Sequence, residues 1–382
     1  MLSLAPQATD AATIPAAIAN AMAQAEPQTS AEYRRKLKEY LEARAAFDQE
    51  AGAYWSAISD KRRGRNAKRR DRQAITLDDY VLVQPPLYDG PKRPIDPSPT
   101  PEREDRPRQR KSLPVVSDFV RACSDHFQFT PQRPTSEMEF KRAYARVAAS
   151  SGLTREQAVR VYSFETGGNG AHDMQSGLSA SRPGSRAIST AIGYNQLLTT
   201  NSVELIAEQG HEIVKALTEK AARLSGSPRQ AIDRKIAVLK RMVAFARSVP
   251  DEWAQHEKLA DTPQGWAVHA MVLDIDVGPL LQTHKLLTSV IFARNKGYQR
   301  ALSAAELEMM NLTGDGTGLD MVTMPQAMRE QVPTSNFFQR SGYERNPVAI
   351  RNNTVAKLLA VTNARMDSNS NLPGARDLAA AF

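Results

Sequence analysis

From Ser112 to residue 330, apolar side chains recur at helical intervals, and the two-residue alternation of a half-buried strand is never sustained. That property commits the stretch to helix-on-helix packing, an all-α domain of seven or more helices. The helices carry their own punctuation. SEMEFKRAYARVAASSG sets Glu139 three residues after Ser136, the spacing of a capping box. LTREQAVRVYSFETGG opens on Thr154 and stops at Gly167. SPRQAIDRKIAVLKRMVAFARSV presents Ile232, Ile236, Leu239, Met242 and Val243 as one stripe. SAAELEMMNLTGDG ends a shorter helix in a glycine-rich turn.

The flanking regions read differently. Residues 1–29, rich in Ala, Pro, Gln and Thr, predict a disordered arm. Ser30 is a plausible cap for a helix over 30–58, in which Tyr33, Leu37, Tyr40 and Phe47 recur at helical spacing. Residues 59–111 combine a basic cluster with a proline-rich, charged tract and read as an extended linker, with the YVLV piece at 80–83 a possible strand. A domain of residues 112–330 follows. Residues 331–382 are expected to add a loop, one helix and a frayed tail.

Composition narrows the function classes. The chain has 382 residues, a net charge of +8 and one cysteine, so no intrachain disulfide supports the fold. Cys123 lies between apolar neighbours in FVRACSDHF and reads as a buried, inert thiol. No segment is apolar for the 18 or so residues of a membrane helix. The start has no charged region followed by an apolar run, so no signal peptide is visible in this numbering. Its small-residue composition resembles the beginning of a mature exported protein. Residues 61–72 suit an anionic polymer or membrane surface, with a solvated face the commoner reading; few aromatics accompany them, which argues against nucleic acid. The six histidines form no HExxH pair and have no cysteine partner, so neither zinc nor another cofactor is expected.

Two segments carry candidate chemistry. In YSFETGG, Glu165 ends an apolar helix. Burial and the negative end of the helix dipole both favour its neutral form, as a general acid near neutral pH requires. By itself such a residue is more often a surface glutamate. In AISTAIGYNQLLTTNS, Gly193 breaks an apolar run and is followed by Tyr194, Asn195 and Gln196, side chains suited to sugar faces, hydroxyls and N-acetyl groups.

The order and spacing of these segments resemble those of the lytic transglycosylases and their goose-type lysozyme relatives. In that family a Glu-Ser pair ends the first helix; here it is Glu165-Thr166. A Gly-Leu-Met-Gln motif follows; here it is Gly193-Tyr194-Asn195-Gln196, with the outer positions matching. The third family motif, Ala-Tyr-Asn-Ala-Gly, has its counterpart around Asn311, with Met310 in place of the tyrosine. The resemblance covers roughly residues 140 to 325, interrupted by a helical insertion around 205–262.

The resemblance implies a lysozyme-like domain that cleaves the bond between N-acetylmuramic acid and N-acetylglucosamine in peptidoglycan glycan strands. Glu165 would be the catalytic acid, and Thr166, Gly193, Tyr194, Asn195, Gln196 and Asn311 would bind substrate. It implies a 1,6-anhydro product, a periplasmic or envelope location, and no second catalytic carboxylate. Asp173, in the loop after Glu165, or Asp315, beside Asn311, could activate water and make a hydrolytic muramidase instead, and each reads more simply as a turn residue. The departures at Tyr194, Asn195 and Met310 motivate a competing expectation, a non-catalytic wall-binding scaffold on a degenerate fold.

Overall fold

The computed structural model describes residues 16–95, 113–170 and 189–382, with side chains from residue 31 onward. Sixteen α-helices and no strand occur among the described residues, so the class is all-α. The chain divides into two compact units, residues 1–108 and 109–382.

The first unit is built on α1 (Ala16–Arg70), about 80 Å of continuous helix. The expected helix over 30–58 is thus extended at both ends. Residues 16–29, read as a disordered arm, are helical, and so is most of the basic run at 61–72. Arg, Lys and Ala are good helix formers, and cations in a last turn complement the helix dipole. Charge density signals solvation there, not a break. The chain then returns along α1. Arg65 donates to the Asp79 carbonyl at 2.8 Å and lies over the Tyr80 ring at 4.3 Å. Tyr54 donates to the Val83 carbonyl at 3.0 Å, and Tyr88 packs edge-on against Phe47 and Tyr40. Residues 80–83 form no strand; they are extended chain laid on a helix. Lys61, Arg65 and Lys68 hold this return segment, so part of the basic cluster is engaged internally.

The second unit packs fifteen helices: α2 (Val116–Phe127), α3 (Glu137–Ser150), α4 (Arg155–Thr166), α5 (Thr199–Ala222), α6 (Gly226–Ala246), α7 (Trp253–Ala260), α8 (Pro263–His269), α9 (Gly278–Asn295), α10 (Ala304–Thr313), α11 (Asp315–Thr323), α12 (Gln326–Arg329), α13 (Arg340–Glu344), α14 (Pro347–Arg351), α15 (Val355–Asn369) and α16 (Pro373–Ala381). The caps work locally. Ser136 accepts from the Glu139 N–H at 3.1 Å, and Thr154 and Gln157 bond each other's backbone N–H. Gly167 takes φ 82° and ends α4. Helix α9 packs against α3, α5, α10 and α11. Beside its start, the buried Lys235 bridges Asp274, at 3.0 Å, and Asp276. Asp274 also accepts the backbone N–H groups of Gln132, Asp276 and Val277, which compensates its burial.

The C-terminal region is not a frayed tail. Leu378 and Ala375 of α16 are fully buried against α3 and α4, and Met366 of α15 joins the same core. Asn369 donates to the Ser163 carbonyl at 2.9 Å, and the Ala375 N–H donates to the Gly168 carbonyl at 3.1 Å. An amphipathic final helix buries apolar area that outweighs the usual fraying of a terminus. These contacts brace the C-terminal turn of α4. No described helix is long and apolar enough to cross a membrane.

Candidate functional site

The last turn of α4 places Glu165 at the edge of the core. Val161, Tyr162 and Ser163 before it are buried, and Glu165 is half-buried. Facing it is α10, where Glu308 and Asn311 sit one turn apart and share a face. Asn311 Nδ2 donates to Glu165 Oε1 at 2.9 Å. Glu308 is only 2% exposed, and its carboxyl and that of Glu165 act on each other electrostatically. Loss of solvation raises Glu165 above the usual carboxylate range, although Lys285 and Arg365 pull against that rise. Glu308 is pushed much further up, first by burial and then by the charge of Glu165.

Lys285 of α9 stands beside this pair. Burial lowers its pKa, opposed by four acids that face it: Glu204 of α5, Asp315 at the start of α11, Glu165 and Glu308. It forms no direct ion pair among the described residues. Asp315 accepts from Ser289 Oγ at 2.5 Å. Glu204 is pushed up to about 7, chiefly by burial and then by Glu208. The site is therefore a polar cluster with one ammonium and several acids of raised pKa. Such a constellation suits proton transfer and hydroxyl-rich ligands. Among the described residues, no group of three or more His, Cys, Asp or Glu is arranged to hold a metal ion.

The Gly193–Gln196 motif forms a structural corner. Ile192 and Leu197 bridge across it, Gly193 takes φ 84° and Gln196 φ 44°, so the four residues form a tight corner. Tyr194 points inward and is fully buried. Its ring meets Tyr162 at 4.7 Å, Phe140 at 5.1 Å and Tyr144 at 5.4 Å, and its hydroxyl donates to Glu137 at 2.6 Å. Asn195 is also fully buried. Its N–H donates to Gln282 Oε1 at 2.9 Å, and its Nδ2 donates to the Gln282 carbonyl at 2.7 Å and to Tyr144. Gln196 Nε2 closes the corner on the Gly193 carbonyl at 2.9 Å.

Tyr194 and Asn195, expected at the sugar, are thus core residues. A left-handed corner, rather than helical or strand period, sets their direction. Their link to chemistry is indirect: Tyr194 packs on Tyr162, one turn before Glu165. Thr166 likewise works locally, donating to the Tyr162 carbonyl at 2.7 Å and accepting from the Gly168 N–H at 3.2 Å.

Of the expected site residues, the structure brings Glu165 and Asn311 together, 146 positions apart in sequence. Met310, the residue before Asn311, is buried. Asp173 lies outside the described residues. Cys123 is buried, and its thiol is pushed up to about 12, which fits an inert side chain.

Sequence reasoning missed Glu308 and Lys285, and it treated Glu165 as a solitary carboxyl. A signal for Glu308 was present. In SAAELEMM, Glu306 is consumed by the Ser303 capping box, which leaves Glu308 among buried Leu and Met with no local role. Lys285 carried a weaker signal, a cation inside the apolar run GPLLQTHKLLTSVIF. Compared with protein families, curated proteins and solved structures, the chain matches none.

Proposed function

We propose that residues 109–382 form a lysozyme-like domain that cleaves peptidoglycan glycan strands as a lytic transglycosylase, with Glu165 as the catalytic acid. The observation that carries this reading is the Glu165 carboxyl, partly desolvated at a helix end and oriented by the Asn311 amide. A carboxyl in that setting can hold a proton closer to neutral pH than a surface glutamate can.

In the proposed reaction Glu165 gives its proton to the glycosidic oxygen, and the bond from that oxygen to the muramyl anomeric carbon breaks. The muramyl 6-hydroxyl oxygen then bonds to that carbon and releases its proton to Glu165. The acid is regenerated and no water is consumed. Glu308 does not supply the second flank of a hydrolase. At 2% exposure it is closed to the sugar or water that the two carboxyls of a hydrolytic pair must admit between them. The ammonium of Lys285, facing acids without pairing directly, suits ring hydroxyls that bridge them. The reading places the working protein in the bacterial envelope.

Digestion of purified sacculi with mass analysis of the products tests this. Anhydro-muropeptides from the wild type, reduced at least about a hundredfold in Glu165→Gln, are expected from loss of the acid. Reducing-end products would instead favour a hydrolase with Glu204, a half-buried acid of pKa about 7 facing the same lysine, as the base. Binding without any release by the wild type would refute both and favour a wall-binding scaffold.

A further inference from the structure

We propose that Glu308 is a positioning residue that shares one proton with Glu165, so that the pair behaves as a single acid. This rests on the function proposed above, and it adds a residue that the family resemblance does not include. Three geometric observations support it. Glu308 is almost wholly buried, at 2% exposure. Its Oε2 is buried with no donor, an arrangement unsuited to an ionised oxygen but suited to a protonated carboxyl. Asn311, one turn along the same helix, donates to Glu165 Oε1 at 2.9 Å, which sets Glu165 against the face of α10 that carries Glu308. Two neighbouring carboxyls withdrawn from water cannot both ionise at low cost, so one proton stays between them.

The charged surroundings agree with a singly protonated pair. Lys285 of α9 and Arg365 of α15 are the cations that face Glu165. Lys285 also faces Glu308, Glu204 of α5 and Asp315 of α11. One net negative charge on the pair is compensated; two would exceed what a half-buried lysine already shared by other acids can balance.

At rest the shared proton resides mainly on Glu308, the more buried group. When the glycosidic oxygen arrives, the proton moves from Glu308 to Glu165 and on to that oxygen. The 6-hydroxyl proton then returns to Glu165 and the pair is restored. Each step moves one proton, and the count is unchanged after a cycle.

The test is titration of the full-length protein with carboxyl-labelled glutamate, followed by NMR, in the wild type and in Glu308→Gln. The wild type is expected to show two coupled carboxyl steps at least about one pH unit apart. In Glu308→Gln the upper step disappears and Glu165 titrates near the lower one. The alkaline limb of sacculus digestion moves to lower pH by about the same interval. Two independent, ordinary carboxyl titrations in the wild type would overturn the proposal without reference to any variant. An unmoved alkaline limb with merely reduced turnover in Glu308→Gln would also overturn it. If the wild type releases no muropeptides, the transglycosylase reading fails, while the titration still decides whether the proton is shared.

Discussion

Gly193→Ala separates a structural from a substrate-binding role for the second motif. Gly193 sits at φ 84°, and an added Cβ would stand 1.8 Å from Gln282 Nε2 and 3.1 Å from Val272. Gln282 cannot swing away freely, because its Oε1 accepts the Asn195 N–H and both side chains are fully buried. Two costs follow. Alanine in the left-handed region costs roughly 1–2 kcal/mol. Displacing Gln282 leaves a buried N–H without its acceptor, about 1–3 kcal/mol more.

The expected loss is therefore about 2–5 kcal/mol, which for a unit of this size lowers the melting temperature by on the order of 10 °C. Gly152→Ala is the control. Its φ is 92° and nothing lies within 4 Å of the added Cβ, so it carries the backbone cost alone. Urea unfolding of both variants gives the comparison as midpoint shifts at unchanged slope. If Gly193→Ala costs no more than Gly152→Ala, the corner is not held as argued and the core reading of Tyr194 and Asn195 loses its support.

Two further outcomes concern stability. His269 is fully buried, accepts from Ser202 at 2.7 Å through Nδ1 and donates to the Thr190 carbonyl at 2.9 Å. Burial pushes it down from 6.5 to about 4. Between those values the unfolded chain binds the extra proton. Stability therefore falls as pH drops from about 6.5 to about 4, by up to about 3 kcal/mol. His269→Gln should flatten the measured pH dependence in that window, and an unchanged slope would show that other groups are responsible. Leu378→Ala, in the fully buried face of α16, should cost about 2–5 kcal/mol in denaturant unfolding, where a frayed tail would show no change.

Much of the fold was legible because helices announce themselves locally. Ser136, Thr154 and Gly167 act at their own helix ends, within three residues of the groups they serve. The misreadings at 16–29, 59–70 and 373–381 share one cause: composition and chain position stood in for helix propensity and for a partner surface that the segment itself does not contain.

The site divides along the same line. Sequence alone determined the all-α class, the end of α4 at Gly167 and the candidacy of Glu165, and it offered Asn311 as a candidate partner. Only the tertiary structure decided that α10 lies across the end of α4 and puts Glu308 against Glu165. It alone decided that Lys285 reaches the pair from α9 and that Tyr194 turns inward on Tyr162. A periodic pattern tells which face of a helix is apolar. It does not tell what stands opposite, because that depends on crossing geometry between helices far apart in the chain. Where the backbone leaves helical period, as at Gly193 and Gln196, side-chain direction follows the turn and its hydrogen bonds, and these exist only once Gln282 has arrived from elsewhere in the chain.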